Sequence, residues 1–74
     1  MWAVVTKTDA PSEREYRGHA ETGAAWDDYA NRILDLETHG YTRGEEKAAQ
    51  YGRRWICELH RGSERVSVTI ERPA

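Results

Sequence analysis

The stretch RRWICELHRGSERVSVTIER, residues 53–72, leaves this chain the fewest ways to fold. Val66, Val68 and Ile70 alternate with Ser67, Thr69 and Glu71, and Trp55, Cys57 and Leu59 alternate with Arg54, Ile56, Glu58 and His60. Strict alternation is the signature of a half-buried strand. Gly62-Ser63 between the two runs suits a two-residue turn with glycine in the first central position, as type II′ prefers. Counting back from that turn predicts Leu59 opposite Val66, Cys57 opposite Val68 and Trp55 opposite Ile70, every pair apolar. The other face pairs Arg54 with Glu71, Ile56 with Thr69 and Glu58 with Ser67. A slip of one residue would destroy the match, so the register is specified by the pattern itself.

The hairpin also limits the chemistry of the only cysteine, Cys57, and of His60 three positions on. Side chains three apart on a strand leave opposite faces, so the two form neither a shared metal site nor a thiolate–imidazole pair. Among Trp55, Leu59, Val66 and Val68 the thiol reads as a small hydrophobe. One cysteine in 74 residues also excludes an internal disulfide, leaving packing or self-association to hold the fold.

Upstream, ETGAAWDDYANRILDLETHGY reads as an amphipathic helix over residues 23–39. Thr22 is the expected N-cap, and Asp27 and Asp28 lie toward the positive end of the dipole. Trp26, Tyr29, Ala30, Ile33 and Leu36 form the expected sheet-facing stripe, flanked by Leu34, with Asp27, Asp28, Asn31 and Asp35 opposite. Gly40 suits a left-handed C′ position, making Tyr41 the following residue that folds back on Leu36. Glu37, near the apolar stripe in the last turn, is expected to reach solvent or to pair with a hairpin arginine such as Arg53.

Residues 1–20 read as a second hairpin turning at D-A-P-S, with Trp2 and Val4 on one face with Tyr16, Gly18 and Ala20. TRGEEKAAQYG is the least patterned stretch, a short helix from Glu45 to Tyr51 closed by Gly52, or an exposed loop. The expected fold class is therefore α+β: a two-layer sandwich over residues 1–74, β-hairpin–helix–β-hairpin, with a four-stranded mainly antiparallel sheet and one helix on one face. Such a sandwich leaves one sheet face and at least one strand edge open.

No P-loop, dinucleotide fingerprint, nucleophile elbow or carboxylate–histidine spacing is present, so no catalytic residue and no cofactor is nominated, and an enzyme is not expected. His19, His39 and His60 lack a placed common geometry, so no metal is expected. MWAVVTKTD has no basic n-region or long apolar run, and no segment approaches the ~20 apolar residues of a membrane span, so a cytoplasmic protein is expected.

Binding through the open sheet face or an exposed strand edge remains. The open sheet face is expected to present Val5, Arg17, His19, Arg54, Ile56, His60 and Arg65, a set that suits a larger protein partner or a second copy of this chain. The alternative is weak nucleic-acid binding through Arg53, Arg54, Arg61, Arg65 and Arg72. Residues 51–74 carry five arginines against three glutamates, whereas residues 20–50 carry seven acids against three bases. This is far from a strongly basic footprint, and the aromatics Trp2, Tyr16 and Trp55 are expected under the helix, where no base could stack on them.

In size, in its nine arginines against two lysines, and in the run AWDDYANRILDLETHGY, the chain resembles small orphan proteins of actinobacteria and their phages. The resemblance implies a small accessory or phage-encoded inhibitor or modulator acting through a binding surface, and it assigns no individual residue a role.

Overall fold

The computed structural model describes residues 1–9 and 12–72. Its elements run β1 (Trp2–Asp9), β2 (Ser12–His19), α1 (Thr22–Thr38), β3 (Thr42–Ala49), β4 (Arg54–Arg61) and β5 (Glu64–Glu71). The sheet has five antiparallel strands in the order β2-β1-β5-β4-β3, with α1 on one face. The α+β class stands. The expected four strands become five because TRGEEKAA is a strand rather than a short helix or loop.

The β4–β5 hairpin has the register expected of it: Leu59 opposite Val66, Cys57 opposite Val68, Trp55 opposite Ile70 and Arg54 opposite Glu71. Gly62 turns with φ +61° while Ser63 is not among the positive-φ residues, the type II′ arrangement. β5 also pairs with β1, Val4 meeting Ile70 and Thr6 meeting Val68, which makes β5 the central strand. Its inward residues Val66, Val68 and Ile70 are accordingly buried.

α1 begins one residue earlier than expected. Glu21 is the N-cap and makes no side-chain capping bond. The Thr22 hydroxyl oxygen instead accepts from the Trp2 indole N–H at 3.0 Å, tying the helix start to β1. The other end follows expectation. Gly40 has φ +92°, its N–H donates to the Glu37 carbonyl at 3.1 Å, and the Tyr41 N–H donates to the Leu36 carbonyl at 3.1 Å. This is a Schellman ending, with Leu36 and Tyr41 both packed against the core.

The helix is rolled relative to its expected stripe. Ala25, Tyr29 and Ile33 are buried, Leu36 is half-buried, and Trp26 and Ala30 lie on the exposed flank with Leu34. Alanine at position 25 allows close approach to the sheet, which a tryptophan at the same spot would prevent. Ile33 and Leu34 are adjacent, 2% and 55% exposed. Ile33→Ala is therefore expected to destabilise the protein by about 2–5 kcal/mol and Leu34→Ala by less than about 0.5 kcal/mol in urea unfolding. Equal losses would contradict this roll of the helix.

Both edge strands differ from expectation. In β2 the observed register pairs Trp2 with His19, Val4 with Arg17, Val5 with Tyr16 and Ala3 with Gly18. It differs from the expected register by one residue, so the faces of β2 are exchanged: Arg17 and His19 lie on the helix side and Tyr16 on the far side. The central residues of the expected D-A-P-S turn lie outside the described residues. In β3 the pairing shifts between Arg43 and Glu46, so that Gly44 and Glu45 together oppose Glu58. A Cβ on Gly44 would sit 3.0 Å from the Glu58 carbonyl oxygen, which accounts for glycine at the bulge.

Candidate functional site

A sheet of five strands is roughly 20–24 Å wide at about 4.8 Å per strand, whereas a helix with its side chains is about 10–12 Å across. α1 packs chiefly on β5, β1 and β2. The remaining part of the same face, toward β4 and β3, is an open groove of about 600 Å³. Trp26, Ala30 and Leu34 form its helical wall, Tyr29, Ile33 and Trp55 lie deeper, and Arg43 and Glu46 form the β3 rim. Trp26 is 40% exposed, so with Leu34 it offers the groove a large apolar surface.

The bulge shapes this rim. Residues three apart on a regular strand point to opposite faces, but the extra residue at Gly44-Glu45 places Arg43 level with Leu59 and Glu46 level with Cys57 on the helix side. Arg43 donates to Glu37 at 2.9 Å and lies 3.9 Å from Glu46. Glu37 therefore pairs with Arg43 of β3, not with the expected Arg53. Burial, reinforced by the Glu46 carboxylate, pushes the Cys57 thiol up to about 11. Burial with the neighbouring Cys57 and Glu46 also raises the Tyr29 phenol. The Tyr29 hydroxyl is buried with no hydrogen-bond partner among the described residues.

The far side of α1 is tied to β2 by a polar network. Asp28 lies 2.7 Å from His19 Nε2 and accepts from Arg17 at 3.3 Å. Glu15 pairs with Arg17 at 3.3 Å and with Arg32, which also reaches Thr6 at 3.4 Å. Asp28 is thus a helix–sheet contact, not a residue of the face opposite the sheet-facing stripe, and Arg17 and His19 leave the expected open-face set.

Val5, Arg54, Ile56, His60 and Arg65 do lie on the face away from α1. Val5 and Ile56 flank Thr69 in one transverse row, continued by Tyr16 at the edge. Thr69 and Ala3 are buried there, Val5 and Ile56 are half-buried, and Arg54 Nε is shielded from solvent. The Arg54 stem lies along this face, as long charged side chains do over apolar surface. His60 and Arg65 face each other at the turn end, six residues along the strands from the Arg54–Glu71 pair, or about 20 Å.

The five arginines of the nucleic-acid alternative do not share a patch. Arg61 lies 4.5 Å over the Tyr41 ring and donates to the His39 carbonyl at 2.7 Å and to Glu64 at 3.0 Å. Hydrogen bonds from Tyr41 and Arg61 hold the Glu64 carboxyl below its ordinary range. Arg72 stacks near Trp2 on the helix side, Arg54 and Arg65 are on the opposite face, and Arg53 is in the β3–β4 loop. Exposed Tyr16 is the one aromatic of the expected covered set that lies on the far face.

Among the described residues no helix is long and apolar enough to cross a membrane, and no group of three or more histidine, cysteine, aspartate or glutamate side chains could hold a metal ion. The chain matches no protein-family model, no curated protein and no solved structure. Geometry alone therefore carries its functional reading.

The raised thiol and phenol make alkaline stability a probe of the groove floor. The unfolded chain releases the Cys57 proton near 9.0, whereas the folded chain holds it to about 11. The unfolded state then binds fewer protons, so stability is full below pH 9 and falls as pH rises toward 11. Tyr29 adds to the fall from its ordinary value of 10.0 upward. Urea melts across this range should show the decline, with its first part removed by Cys57→Ala. A decline unchanged by that substitution would show that the thiol is not in this environment.

Proposed function

We propose that this chain is a non-enzymatic, cytoplasmic protein-interaction module, an accessory inhibitor or modulator of a larger protein, and that its docking surface is the groove between α1 and β3–β4. The observation that carries this reading is the exposure of Trp26 and Leu34 beside half-buried Trp55. Large apolar side chains in a concave patch with charged residues only at its rim are the usual anatomy of a binding hot spot. The opposite sheet face supports the reading less well, because its aliphatic row is largely covered by neighbouring side chains.

The groove suits one kind of occupant. Trp26, Ala30 and Leu34 recur every fourth residue along α1, so a partner helix laid beside α1 would meet a continuous apolar ridge. The segment that builds most of the groove, residues 20–50, holds seven acids against three bases. The expected partner is therefore an amphipathic segment with apolar anchors at helical spacing, flanked by lysine or arginine.

Selection of random peptides displayed on phage against the immobilised protein tests this. Enriched sequences should carry two apolar anchors three or four residues apart with basic flanks. They should bind Leu34→Glu at least ten-fold more weakly, at unchanged circular dichroism, because that side chain makes little contribution to the fold. Enriched peptides that bind Leu34→Glu as tightly as the original protein, or no enrichment at all, would overturn the assignment.

A further inference from the structure

The two edges of the sheet differ. β3 carries the Gly44-Glu45 bulge, one of the devices by which sheets block pairing with another strand. Among the described residues β2 has none: it pairs only with β1, its register is unbroken over eight residues, and seven of those eight are exposed. Alternate backbone N–H and C=O groups of an edge strand point outward unpaired, a template for another strand. Charged residues ordinarily blunt such an edge, and Glu13, Arg14, Glu15 and Arg17 are there to do it. Their order, however, is self-complementary.

A two-fold axis through an antiparallel pair of β2 strands must fall on a residue, because facing residues share a face of the sheet. With the axis on Tyr16, Glu15 faces Arg17 of the second copy, Glu13 faces His19 of the second copy, and Arg14 faces Gly18. Each encounter occurs twice and none joins like charges. With the axis on Glu15 or on Arg17, that residue faces itself. With the axis on Arg14, arginine meets arginine and Glu13 meets Glu15. An axis on Gly18 pairs only the end of the strand.

The favoured register also accounts for Tyr16, an apolar ring 60% exposed in the middle of a charged edge. It lies beside Val5 in the row that continues through Thr69 to Ile56. At the axis the two tyrosines become cross-strand neighbours, and the two rows join. Glu15 and Arg17 already contact one another on the helix side at 3.3 Å, and with side chains about half exposed both remain open to a partner.

We infer that two copies of this chain associate through β2 about an axis at Tyr16, forming one continuous ten-stranded sheet. Both helices then lie on the same side, and both grooves, at the far β3 ends, stay open. This surface is independent of the groove, so the dimer stands or falls separately from the proposed partner.

Sedimentation equilibrium over a concentration series, together with disulfide trapping, tests the inference. The protein is expected to approach twice its 8.5 kDa mass with increasing concentration. Tyr16→Glu, which sets like charges face to face at the axis, should stay monomeric with unchanged far-ultraviolet circular dichroism. Tyr16→Cys should give a covalent dimer under mild oxidation, because facing strand residues satisfy disulfide geometry. Arg14→Cys should not, since each such residue faces Gly18 of the second copy. A monomer at every concentration would overturn the inference, as would a dimer that persists in Tyr16→Glu or is trapped by Arg14→Cys. Binding of an extended peptide by a wild-type monomer would equally overturn it, assigning the edge to another protein's strand.

Discussion

One helix cannot cover five strands. The 17-residue α1 shields a width of about two strands, and the rest of the structure follows from where it settles. Over β1 and β5 it meets Val4, Val68 and Ile70, which with Ala25, Tyr29, Ile33, Cys57 and Leu59 make the buried core. On β4 Cys57 and Leu59 still belong to that core, but beyond them toward β3 the same sheet face is bordered by Trp55 and by the Arg43–Glu46 rim. The groove is thus a consequence of the sheet's width, and the exposed flank of α1 is the wall that the missing second helix would have covered.

Polar contacts decide which half is covered. On the β2 side Asp28 holds His19 and Arg17, and Arg32 joins Glu15 and Thr6. On the β3 side α1 has the Glu37–Arg43 pair, made possible by the bulge. Half-buried ion pairs contribute more to the choice among arrangements than to net stability, because desolvation offsets much of their attraction. The aromatic contacts act in the same direction: Trp2 packs on Trp26 with ring centroids 6.2 Å apart and donates to Thr22, anchoring the helix start over the β1–β2 side.

The parts of the fold legible in the sequence are those where burial and alternation coincide. β4 and β5 lie in the interior of the sheet, so Trp55, Cys57, Leu59, Val66, Val68 and Ile70 mark one face without ambiguity, and the turn glycine sets the register. The helix end was legible because Gly40 and Tyr41 form a local motif. The edge strands were not. The inward face of β2 is lined by Glu15, Arg17 and His19, which answer charges on α1, so taking Tyr16 and Gly18 as the inward residues inverts the strand. In β3 the bulge breaks the alternation, and Thr42 is its only β-branched residue. Alternation alone therefore puts Arg17 and His19 on the face opposite to the one they occupy, and it gives TRGEEKAA no strand pattern. The groove is not legible in the sequence for a related reason. Helical spacing assigns Trp26 and Ala30 to the core as readily as Ala25, and only the close approach of the helix at Ala25 decides between them.

The most direct test of a docking surface in the uncovered half of this face is an amide and indole NMR titration with a basic-flanked amphipathic peptide. Shifts are expected at the Trp26 and Trp55 indoles and at the amides of Ala30, Leu34 and Arg43, with Val5, His60 and Arg65 on the opposite face unmoved. Shifts centred on Val5, His60 and Arg65, with the two indoles unchanged, would contradict it and return the binding surface to the far side of the sheet.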